Sequence, residues 1–379
     1  MNPKLKILFP VGTLYPNESG GVSLSLYWLL KGLYATEKID LTTITSSYGI
    51  KPDRIVENNW LDTDYGKVIY LKTNNINLGI PIIISFIKKV NNSDIVHLSS
   101  FFYPPSIVCF FISILFKKKI VWSSRGSLDD IEFKKNGFFK KLTIFFLKPF
   151  LKKVAFHTTS SEETYFVRKY IGKNTNIFQI TNFIVIPQKH ESLKKFYFLY
   201  IGRFHQKKGI DNLLRALSNS KSFLTSKFTL KIAGNYDNEY GRYILNMHKE
   251  LNLDNKVQFL GHIDGLEKQL LLAKAYFLFM PSYSENFGIS AVEALSQGTP
   301  VVASINTPWE SLNHYEAGYW VNNSPEILTD IIEKIVAMPL ERHFEYSQNA
   351  LKLVHKELDI FNNINIWIDS YNSINSQCQ

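Results

Sequence analysis

The chain has 379 residues, of which 45% are hydrophobic and 20% are charged. This length predicts two domains, and the composition is that of a soluble globular protein with packed cores. Its two cysteines, Cys109 and Cys378, are too few and too far apart for a disulfide framework or a Cys/His metal site. Cysteine usage of this kind favours a reducing cytoplasm.

The net charge of +10 is unevenly distributed. Residues 1–186 hold 24 Lys and Arg against 13 Asp and Glu, a balance of +11. Residues 187–379 hold 19 against 20, a balance of −1. The asymmetry predicts an anionic partner for the N-terminal half, either nucleic acid or an acidic membrane surface.

Neither of the two most apolar segments has the length of a targeting or spanning element. The N-terminal stretch 1–12 is too short for a signal-peptide core and predicts a first strand. The longest apolar run, residues 104–116, has 13 residues. A bilayer span needs about 20 residues, so we expect a buried helix there.

Strand and helix patterns alternate along the N-terminal half. A helix follows the Gly20-Gly21 turn. The predicted elements are, in order, strand 4–11, helix 22–35, strand 39–45, strand 93–99, helix 105–116, strand 119–123 and strand 154–158. This alternation predicts a parallel sheet covered by helices on both faces.

A charged segment with Pro187, residues 182–196, interrupts the alternation, which then restarts. Strands are predicted at 197–201, 229–234, 256–260, 276–280 and 300–303, and helices at 210–220, 266–274 and 289–297. The predicted fold class is α/β, with two Rossmann-like, doubly wound domains facing a central cleft. The domains are residues 1–185 and 186–355, and a helical tail, 356–379, packs back on the first domain.

The segment 281–300, PSYSENFGISAVEALSQGTP, carries the strongest chemical signal. Glu285 lies in a loop after an apolar strand, and Glu293 lies in the following helix, where its side chain leans back toward the loop. Two carboxylates in one pocket suit the paired hydroxyls of a polyol. The helix start at Phe287-Gly288 offers backbone N–H groups to an anion. A nucleotide-sugar requires both features; a capped amphipathic helix is the structural alternative.

A second segment, YIGRFHQKKGIDNLL at 200–214, places Arg203 and Lys208 in the first strand-to-helix turn of the second domain. The guanidinium fork of Arg203 and the ammonium of Lys208 both suit a diphosphate. Neutralising charge on a departing diphosphate is a large part of the catalytic problem. Solvated surface charges are the structural alternative, but this turn lies on the same rim as Glu285.

These segments, with LKIAG, VQFLGHI and TPWESL, resemble retaining glycosyltransferases of family GT4, which have the GT-B fold. The resemblance implies that Arg203 and Lys208 bind the donor diphosphate, Glu285 the donor sugar and Glu293 the ribose. The loop from Asn286 through Phe287, Gly288 and Ile289 would lie against phosphates and sugar. Retention of configuration and a UDP-sugar donor are likewise implied by the resemblance, with GDP as an open alternative.

The resemblance also assigns an opposing wall in the first domain. A Gly-rich loop, here Gly20-Gly21, would lie beside the diphosphate and the acceptor. Many relatives carry a His-Gly pair where this chain has Arg125-Gly126. That departure, with the Thr-Pro-Trp at 307–309, resembles a branch building bacterial surface polysaccharides. We expect Arg125 to stabilise donor phosphate or position the acceptor. Asp129 would orient an acceptor hydroxyl or cap a helix.

Residues 133–153, FKKNGFFKKLTIFFLKPFLKK, carry seven Lys, six Phe and no acid. Two interpretations stay open: a basic amphipathic membrane-surface helix, or a helix packed on the sheet by its Phe side. The half-chain charge favours the membrane, which suits a lipid-linked acceptor and a peripheral position on the inner face of the cytoplasmic membrane. The lysines concerned are Lys140, Lys141, Lys148, Lys152 and Lys153.

Other candidate residues receive structural interpretations. His97 and His157 end or occupy strands and are expected to be satisfied structural groups. Asp62-Thr63-Asp64 superficially matches a metal-binding Asp-x-Asp, but it lies in a poorly patterned loop, so these acids are expected to be solvated. No metal and no cofactor is expected if Arg203, Lys208 and a helix N-terminus handle the diphosphate. The rival functions are a nucleotide-sugar 2-epimerase or sugar phosphorylase on the same fold, and a basic nucleic-acid-binding protein. Scarce Arg and dispersed aromatics weigh against the last.

Overall fold

Strands and helices sort into two units, each built around its own sheet. The structure is a computed structural model that describes residues 4–17, 21–73, 79–130, 133, 137–285 and 287–376. Unit 1 comprises Met1–Val185 together with Ile360–Gln379, and unit 2 comprises Ile186–Asp359. The predicted two-domain α/β fold with parallel sheets is confirmed.

The described part of unit 1 contains a sheet of eight strands in the order β3-β4-β2-β1-β5-β6-β7-β8. The strands are β1 Leu5–Pro10, β2 Ile39–Ser46, β3 Trp60–Thr63, β4 Gly66–Leu71, β5 Ile95–Ser99, β6 Lys119–Ser123, β7 Val154–Thr158 and β8 Ile177–Gln179. Neighbouring strands run parallel, except that β3 pairs antiparallel with β4. Central strands such as β5 are buried on both faces, which explains why adjacent residues such as Ile95 and Val96 are both apolar.

Helices cover both faces of this sheet. They are α1 Gly21–Ala35, α2 Ile80–Val90, α3 Pro104–Leu115, α4 Gly137–Leu147 and α5 Ser161–Tyr170. Helices α2 to α5 enclose one apolar core with the sheet, including Phe86, Phe110 and Trp122. Within the described residues, no helix combines the length and apolar character needed to cross a bilayer.

The described part of unit 2 has six parallel strands in the order β11-β10-β9-β12-β13-β14. They are β9 Tyr197–Ile201, β10 Thr229–Ala233, β11 Val257–Gly261, β12 Phe277–Met280, β13 Val301–Ser304 and β14 Gly318–Val321. The helices are α6 Ile210–Asn219, α7 Lys221–Thr225, α8 Glu239–Glu250, α9 Gly265–Lys274, α10 Ile289–Ser296, α11 Ser311–Tyr315, α12 Pro325–Val336 and α13 Leu340–Leu353. Side chains of Asn238 and Ser324 cap α8 and α12 by accepting backbone N–H groups.

Short turns complete the chain between these elements. Single 3₁₀ turns lie at Pro52–Arg54, Leu151–Lys153 and Gln206–Lys208, and a π-helical turn lies at Val354–Leu358. After that turn the chain returns to unit 1 as α14 Ile360–Asn363 and α15 Asn365–Ser376. These two helices and α1 enclose the second core of unit 1. Gly32 of α1 permits this approach, because a Cβ there would lie 2.3 Å from Ile360.

A buried chain of hydrogen bonds joins α15 to the sheet of unit 1. Its links are Tyr371 Oη–His97 Nδ1 at 2.7 Å, His97 Nε2–Ser123 Oγ at 2.7 Å and Ser123 Oγ–His157 Nδ1 at 2.8 Å. The last link joins His157 Nε2 to the Ile180 carbonyl at 2.9 Å, which can only accept. His157 Nε2 therefore donates to this carbonyl, and Ser123 Oγ donates to His157 Nδ1. His97 Nε2 in turn donates to Ser123 Oγ, and the Tyr371 hydroxyl donates to His97 Nδ1.

Both histidines in this chain are neutral. Burial lowers the pKa of His157 to about 3, and the Arg125 charge adds to the effect. Burial, with His157 and Arg125, also holds the pKa of His97 well below its usual range. The structural interpretation of both residues fits this environment, since each ring nitrogen has a partner.

The predicted loop around Asp62 is instead a β-hairpin. Asp62 and Thr63 lie in β3, and Asp64 lies in the turn to β4. Asp64 forms an ion pair with Lys31 of α1 at 2.8 Å. The loop prediction was wrong because β3 is a short edge strand with little burial, so its sequence lacks a clear apolar alternation.

The segment 137–153 also differs from its prediction. Helix α4 ends at Leu147, so Lys148, Lys152 and Lys153 lie beyond it. The helix packs on the sheet through Ile144 and Leu147, which are buried. The interpretation in which the Phe side packs on the sheet is therefore wrong. The phenylalanines of α4 are exposed: Phe138, Phe139, Phe145 and Phe146.

We predict that Tyr371→Phe destabilises the protein by about 1–3 kcal/mol, because it leaves His97 Nδ1 buried without its donor. Thermal unfolding of wild type and variant measures the effect as a lower Tm. Tyr34→Phe is the matched control, since the Tyr34 side chain of α1 is exposed. Equal Tm values for the two variants would contradict a stabilising role for the hydrogen-bond chain.

Candidate donor site

Two loops meet at the carboxyl edge of the sheet in unit 2. They follow β9 and β12, which are neighbouring parallel strands. The Tyr283 backbone N–H donates to the Lys207 carbonyl at 2.7 Å. Gly209, with φ +65°, lies so close that a Cβ there would be 2.2 Å from the Pro281 carbonyl oxygen. The loops carrying the predicted cations and carboxylates are thus packed directly on each other.

Glu285 is held by two donors within this pair of loops. Lys208 Nζ donates to Glu285 Oε1, and both side chains are mostly buried. Ser282 Oγ donates to the same oxygen at 3.2 Å. Burial first, and the charge of Glu285 second, raise the pKa of the neighbouring Tyr200 well above its usual value. The structure therefore brings Lys208 and Glu285 together, as their positions on one rim predict.

The start of α10 is fixed by Trp309, whose contact with this helix the sequence did not predict. Gly288 begins the helix with φ +80°, and Phe287 before it is buried. Trp309 is buried as well, and its indole Nε1 donates to the Phe287 carbonyl at 2.7 Å. The helix start at Ile289 is thereby held in place, with its first backbone N–H groups beyond the reach of intrahelical acceptors. The signal was available in the Thr-Pro-Trp motif.

Glu293 is paired with a second residue that the sequence reasoning missed. Lys268 of α9 lies 2.7 Å from Glu293 Oε1 and 2.6 Å from Oε2. About three quarters of each side chain is buried. Lys268 contacts both oxygens of the carboxylate expected to bind ribose. Sequence spacing could not reveal this pair, because the two helices are brought together only by the fold.

Arg203 takes no part in these pairs. Arg203 belongs to the same turn as Lys208, but its residue is exposed. Its backbone carbonyl accepts from the Tyr200 hydroxyl at 3.1 Å. Arg203 is therefore a solvent-exposed residue at the edge of the candidate site. Asn286, which the prediction includes in the donor loop, lies outside the described residues.

In unit 1 the side chain of Arg125 turns inward. Its Nη1 donates to Asn182 Oδ1 at 2.9 Å and to Ser25 Oγ of α1 at 3.2 Å. Burial lowers the pKa of this guanidinium, although Glu163 and Tyr371 act in the opposite direction. In this structure Arg125 therefore joins the start of α1 to the interior of unit 1. Its contact with donor phosphate or acceptor stays a prediction.

A buried glutamate braces the loop that holds Arg125. Glu163 Oε1 accepts from the Gly126 backbone N–H at 2.6 Å and from Ser124 Oγ at 2.8 Å. Its other oxygen accepts from the Thr159 backbone N–H at 2.6 Å. The sequence reasoning missed this residue, because in the sequence it is one of two acids opening an ordinary helix.

The other predicted residues of unit 1 lie nearby or outside the described chain. Gly21 is the first residue of α1, one turn before Ser25, and Gly20 is not described. Asp129 follows the Arg125 loop and is partly buried; burial first, and then its charge, raise the pKa of Glu162. Across the described residues, no three His, Cys, Asp or Glu side chains are grouped as a possible metal site.

Comparison with known proteins agrees with this geometry. Residues 183–353 match the family model Glycosyl transferases group 1. The O-antigen chain mannosyltransferase RfbU of Salmonella typhimurium is 32% identical over 149 residues, covering 37% of this chain and 40% of RfbU. Human alpha-1,3/1,6-mannosyltransferase ALG2 is 32% identical over 172 residues, covering 41% of both proteins. The chain thus matches about two fifths of the length of these curated relatives.

Similarity to solved structures extends over both units. Anabaena Alr3699/HepE, crystallised with UDP and glucose, matches 97% of this chain and 99% of its own, with a TM-score of 0.73 and 18% identity. At that identity the likeness establishes the fold alone. The chain therefore has the GT-B fold, and its residues 183–353 are similar to the glycosyl transferases group 1 family.

Proposed function

We propose that the protein is a hexosyltransferase that moves a sugar from a nucleotide-diphosphate sugar to an acceptor hydroxyl. The observation that carries this proposal is the pairing of Lys208 with Glu285 beside the fixed start of α10. Cation, carboxylate and helix start lie within the segment that matches the family model. Together they offer contacts to a diphosphate and to sugar hydroxyls in one place.

In the proposed reaction, the bond between the sugar anomeric carbon and the diphosphate oxygen breaks, and a bond to the acceptor oxygen forms. Arg203, Lys208 and the α10 N-terminus stabilise the negative charge on the leaving diphosphate. Glu285 holds sugar hydroxyls. The departing phosphate oxygen takes the acceptor proton, and attack from the same face retains the anomeric configuration. Because protein cations serve the diphosphate, this reaction needs neither metal nor cofactor.

The proposed acceptor is a lipid-linked glycan in bacterial surface polysaccharide synthesis, such as O-antigen, capsule or lipopolysaccharide. RfbU, which acts on O-antigen chains by its name, supports this choice. We propose a peripheral site of action on the inner face of the cytoplasmic membrane, with no nucleic-acid partner. Lysines of unit 1 would face the anionic lipid: Lys140, Lys141, Lys148, Lys152 and Lys153.

UDP is the default donor nucleotide, and the mannosyltransferase relatives make GDP the first alternative to test. A panel of nucleotide-sugars measured by thermal shift identifies the donor. A ligand at about 100 times its Kd stabilises the folded protein by about 2.7 kcal/mol, so the true donor raises the Tm by several degrees. If no nucleotide-sugar changes the Tm, the proposed function is wrong.

The same donor, incubated without acceptor, separates a transferase from an epimerase. A transferase leaves the sugar configuration unchanged, whereas an epimerase converts it to the C2 epimer. NMR of the recovered nucleotide-sugar distinguishes the two. A phosphorylase is excluded by adding inorganic phosphate and a glycan and observing no sugar 1-phosphate.

We predict that Glu293→Ala weakens nucleotide binding by about ten- to a hundredfold, because hydrogen bonds from ribose to a charged acceptor are lost. Lys268→Met should weaken binding by about fivefold, since Glu293 loses its ion-pair partner and the hydrogen bond to Oε1. Lys268→Arg should preserve most of the affinity. Titration calorimetry with the nucleoside diphosphate measures each value.

Glu267→Gln is the matched control for these variants, because Glu267 is exposed one residue before Lys268 on α9. Its affinity should equal that of wild type. Unchanged affinity in Glu293→Ala, with an unchanged Tm, would refute the ribose assignment.

We predict that Lys208→Met lowers kcat by about tenfold or more, because a charge-assisted contact to the leaving diphosphate disappears. Arg203→Ala should lower kcat by several-fold. Lys334→Met, at an exposed position of α12, is the control and should keep the wild-type rate. Steady-state rates with saturating donor test these values, and a wild-type kcat in both site variants would contradict the diphosphate assignment.

A further inference from the structure

Helix α4 presents aromatic side chains outward. Phe138 and Phe145 keep 74% and 70% of their surface exposed, and Phe139 and Phe146 are exposed beside them. A surface helix normally turns such residues toward the core and polar residues toward solvent. Here Ile144 and Leu147 already occupy the core side, so the phenylalanines form a second apolar side on the same helix.

Helix α3 continues this surface. Val108, Phe111 and Leu115 share one side of the helix and are exposed, Leu115 by 78% of its surface. The opposite side is buried in the core through Cys109 and Phe110. The ring of Phe111 contacts that of Phe150, three residues beyond α4, at 5.7 Å between centroids. The apolar sides of α3 and of the α4 region are therefore contiguous.

Helix α2 adds a third stripe. Ile80, Ile84 and Ile87 recur at helical spacing and are exposed, while other apolar residues of α2 pack inward. The start of α2 touches α3, since a Cβ on Gly79 would lie 2.3 Å from Pro105. A helix that is apolar on all sides is typical of a buried environment. We call the outward sides of α2, α3 and α4 the apolar face.

The charged side chains within α2, α3 and α4 are all lysines. Helices α2, α3 and α4 contain no acidic residue. Lys88 lies in the last turn of α2, Lys141 lies in α4, and Lys148 and Lys152 follow α4, all at exposed positions. Two copies joined through this face would bring these lysines together, which costs free energy. An anionic bilayer instead offers hydrocarbon to the apolar side chains and phosphates to the lysines.

We propose that the apolar face is a membrane-insertion surface, in which α2, α3 and α4 lie in the bilayer interface with their aromatic and aliphatic side chains below the headgroups. This rests on the proposed function only for its purpose, delivery of a lipid-linked acceptor to unit 1. Apolar burial would provide a component of membrane binding that salt does not screen, and a purely electrostatic contact would lack this component.

Vesicle flotation tests the surface helix by helix, with vesicles of phosphatidylglycerol and phosphatidylcholine. The double variant Phe138→Ser, Phe145→Ser should have a vesicle partition constant at least tenfold lower than that of wild type. Burial of one such ring contributes about one order of magnitude to this constant. Leu115→Ser and Ile84→Ser, measured separately, should each reduce it about threefold or more. Lys141→Glu with Lys148→Glu should reduce binding to anionic vesicles, and the wild type should retain partial binding in high salt.

Leu340→Ser with Phe344→Ser is the matched control, because both side chains are equally exposed on α13 of unit 2. Its vesicle binding should equal that of wild type. Absence of wild-type vesicle binding would overturn the proposal, as would a self-association that Phe145→Ser abolishes. If Ile84→Ser bound vesicles as strongly as wild type, α2 would not belong to the surface, and the three-helix proposal would be refuted.

Donor binding in solution keeps this proposal separate from the proposed function. The apolar-face variants should bind the nucleoside diphosphate with wild-type affinity, because none of the substituted residues is predicted to contact the donor. Vesicle binding without any nucleotide binding would refute the function and leave the surface standing. Nucleotide binding without vesicle binding would do the reverse.

Discussion

Each carboxylate of the candidate donor site is held by a lysine from another element of unit 2. Lys208 holds Glu285 from the preceding loop, and Lys268 holds Glu293 from α9. All four side chains are largely removed from water, so the loss of one partner leaves a poorly solvated charge. The carboxylates are therefore oriented before any ligand arrives. The packing of the two loops, the left-handed Gly209 and the Trp309 anchor all serve to keep these pairs in register.

In unit 1 the inward-facing cation is Arg125, and the two buried histidines near it are neutral. His97 and His157 pass hydrogen bonds along a single direction and carry no charge beside Arg125. Glu163 supplies the nearby negative charge and also braces the loop backbone. Because every donor in the Tyr371–His97–Ser123–His157 hydrogen-bond chain has one acceptor, alternative rotamers there would each leave a buried group unpaired. The Arg125 loop is held by the contacts of Ser124 and Gly126 with Glu163.

Local signals in the sequence predicted most of the elements and the Lys208–Glu285 meeting. Buried strands such as β6 and β7 are recognisable by three consecutive apolar residues each, and parallel order brings their loops to one edge. The Lys268–Glu293 pair, by contrast, joins residues 25 positions apart in the sequence and depends on how their two helices pack. The phenylalanines of α4 were ambiguous because periodicity gives the two sides of a helix but not which side meets the sheet. Edge strand β3 gave too little burial to leave a pattern.

The return of α14 and α15 to unit 1 has a consequence for synthesis on the ribosome. Unit 1 begins at the start of the chain, yet its second core needs Ile360, Trp367 and Tyr371. Unit 2 is contiguous and emerges in full before those residues do. The domain that is translated first is therefore completed last, and until then His97 lacks its donor and α1 lacks its cover. While unit 2 is being translated, unit 1 therefore exposes apolar surface that the completed chain buries.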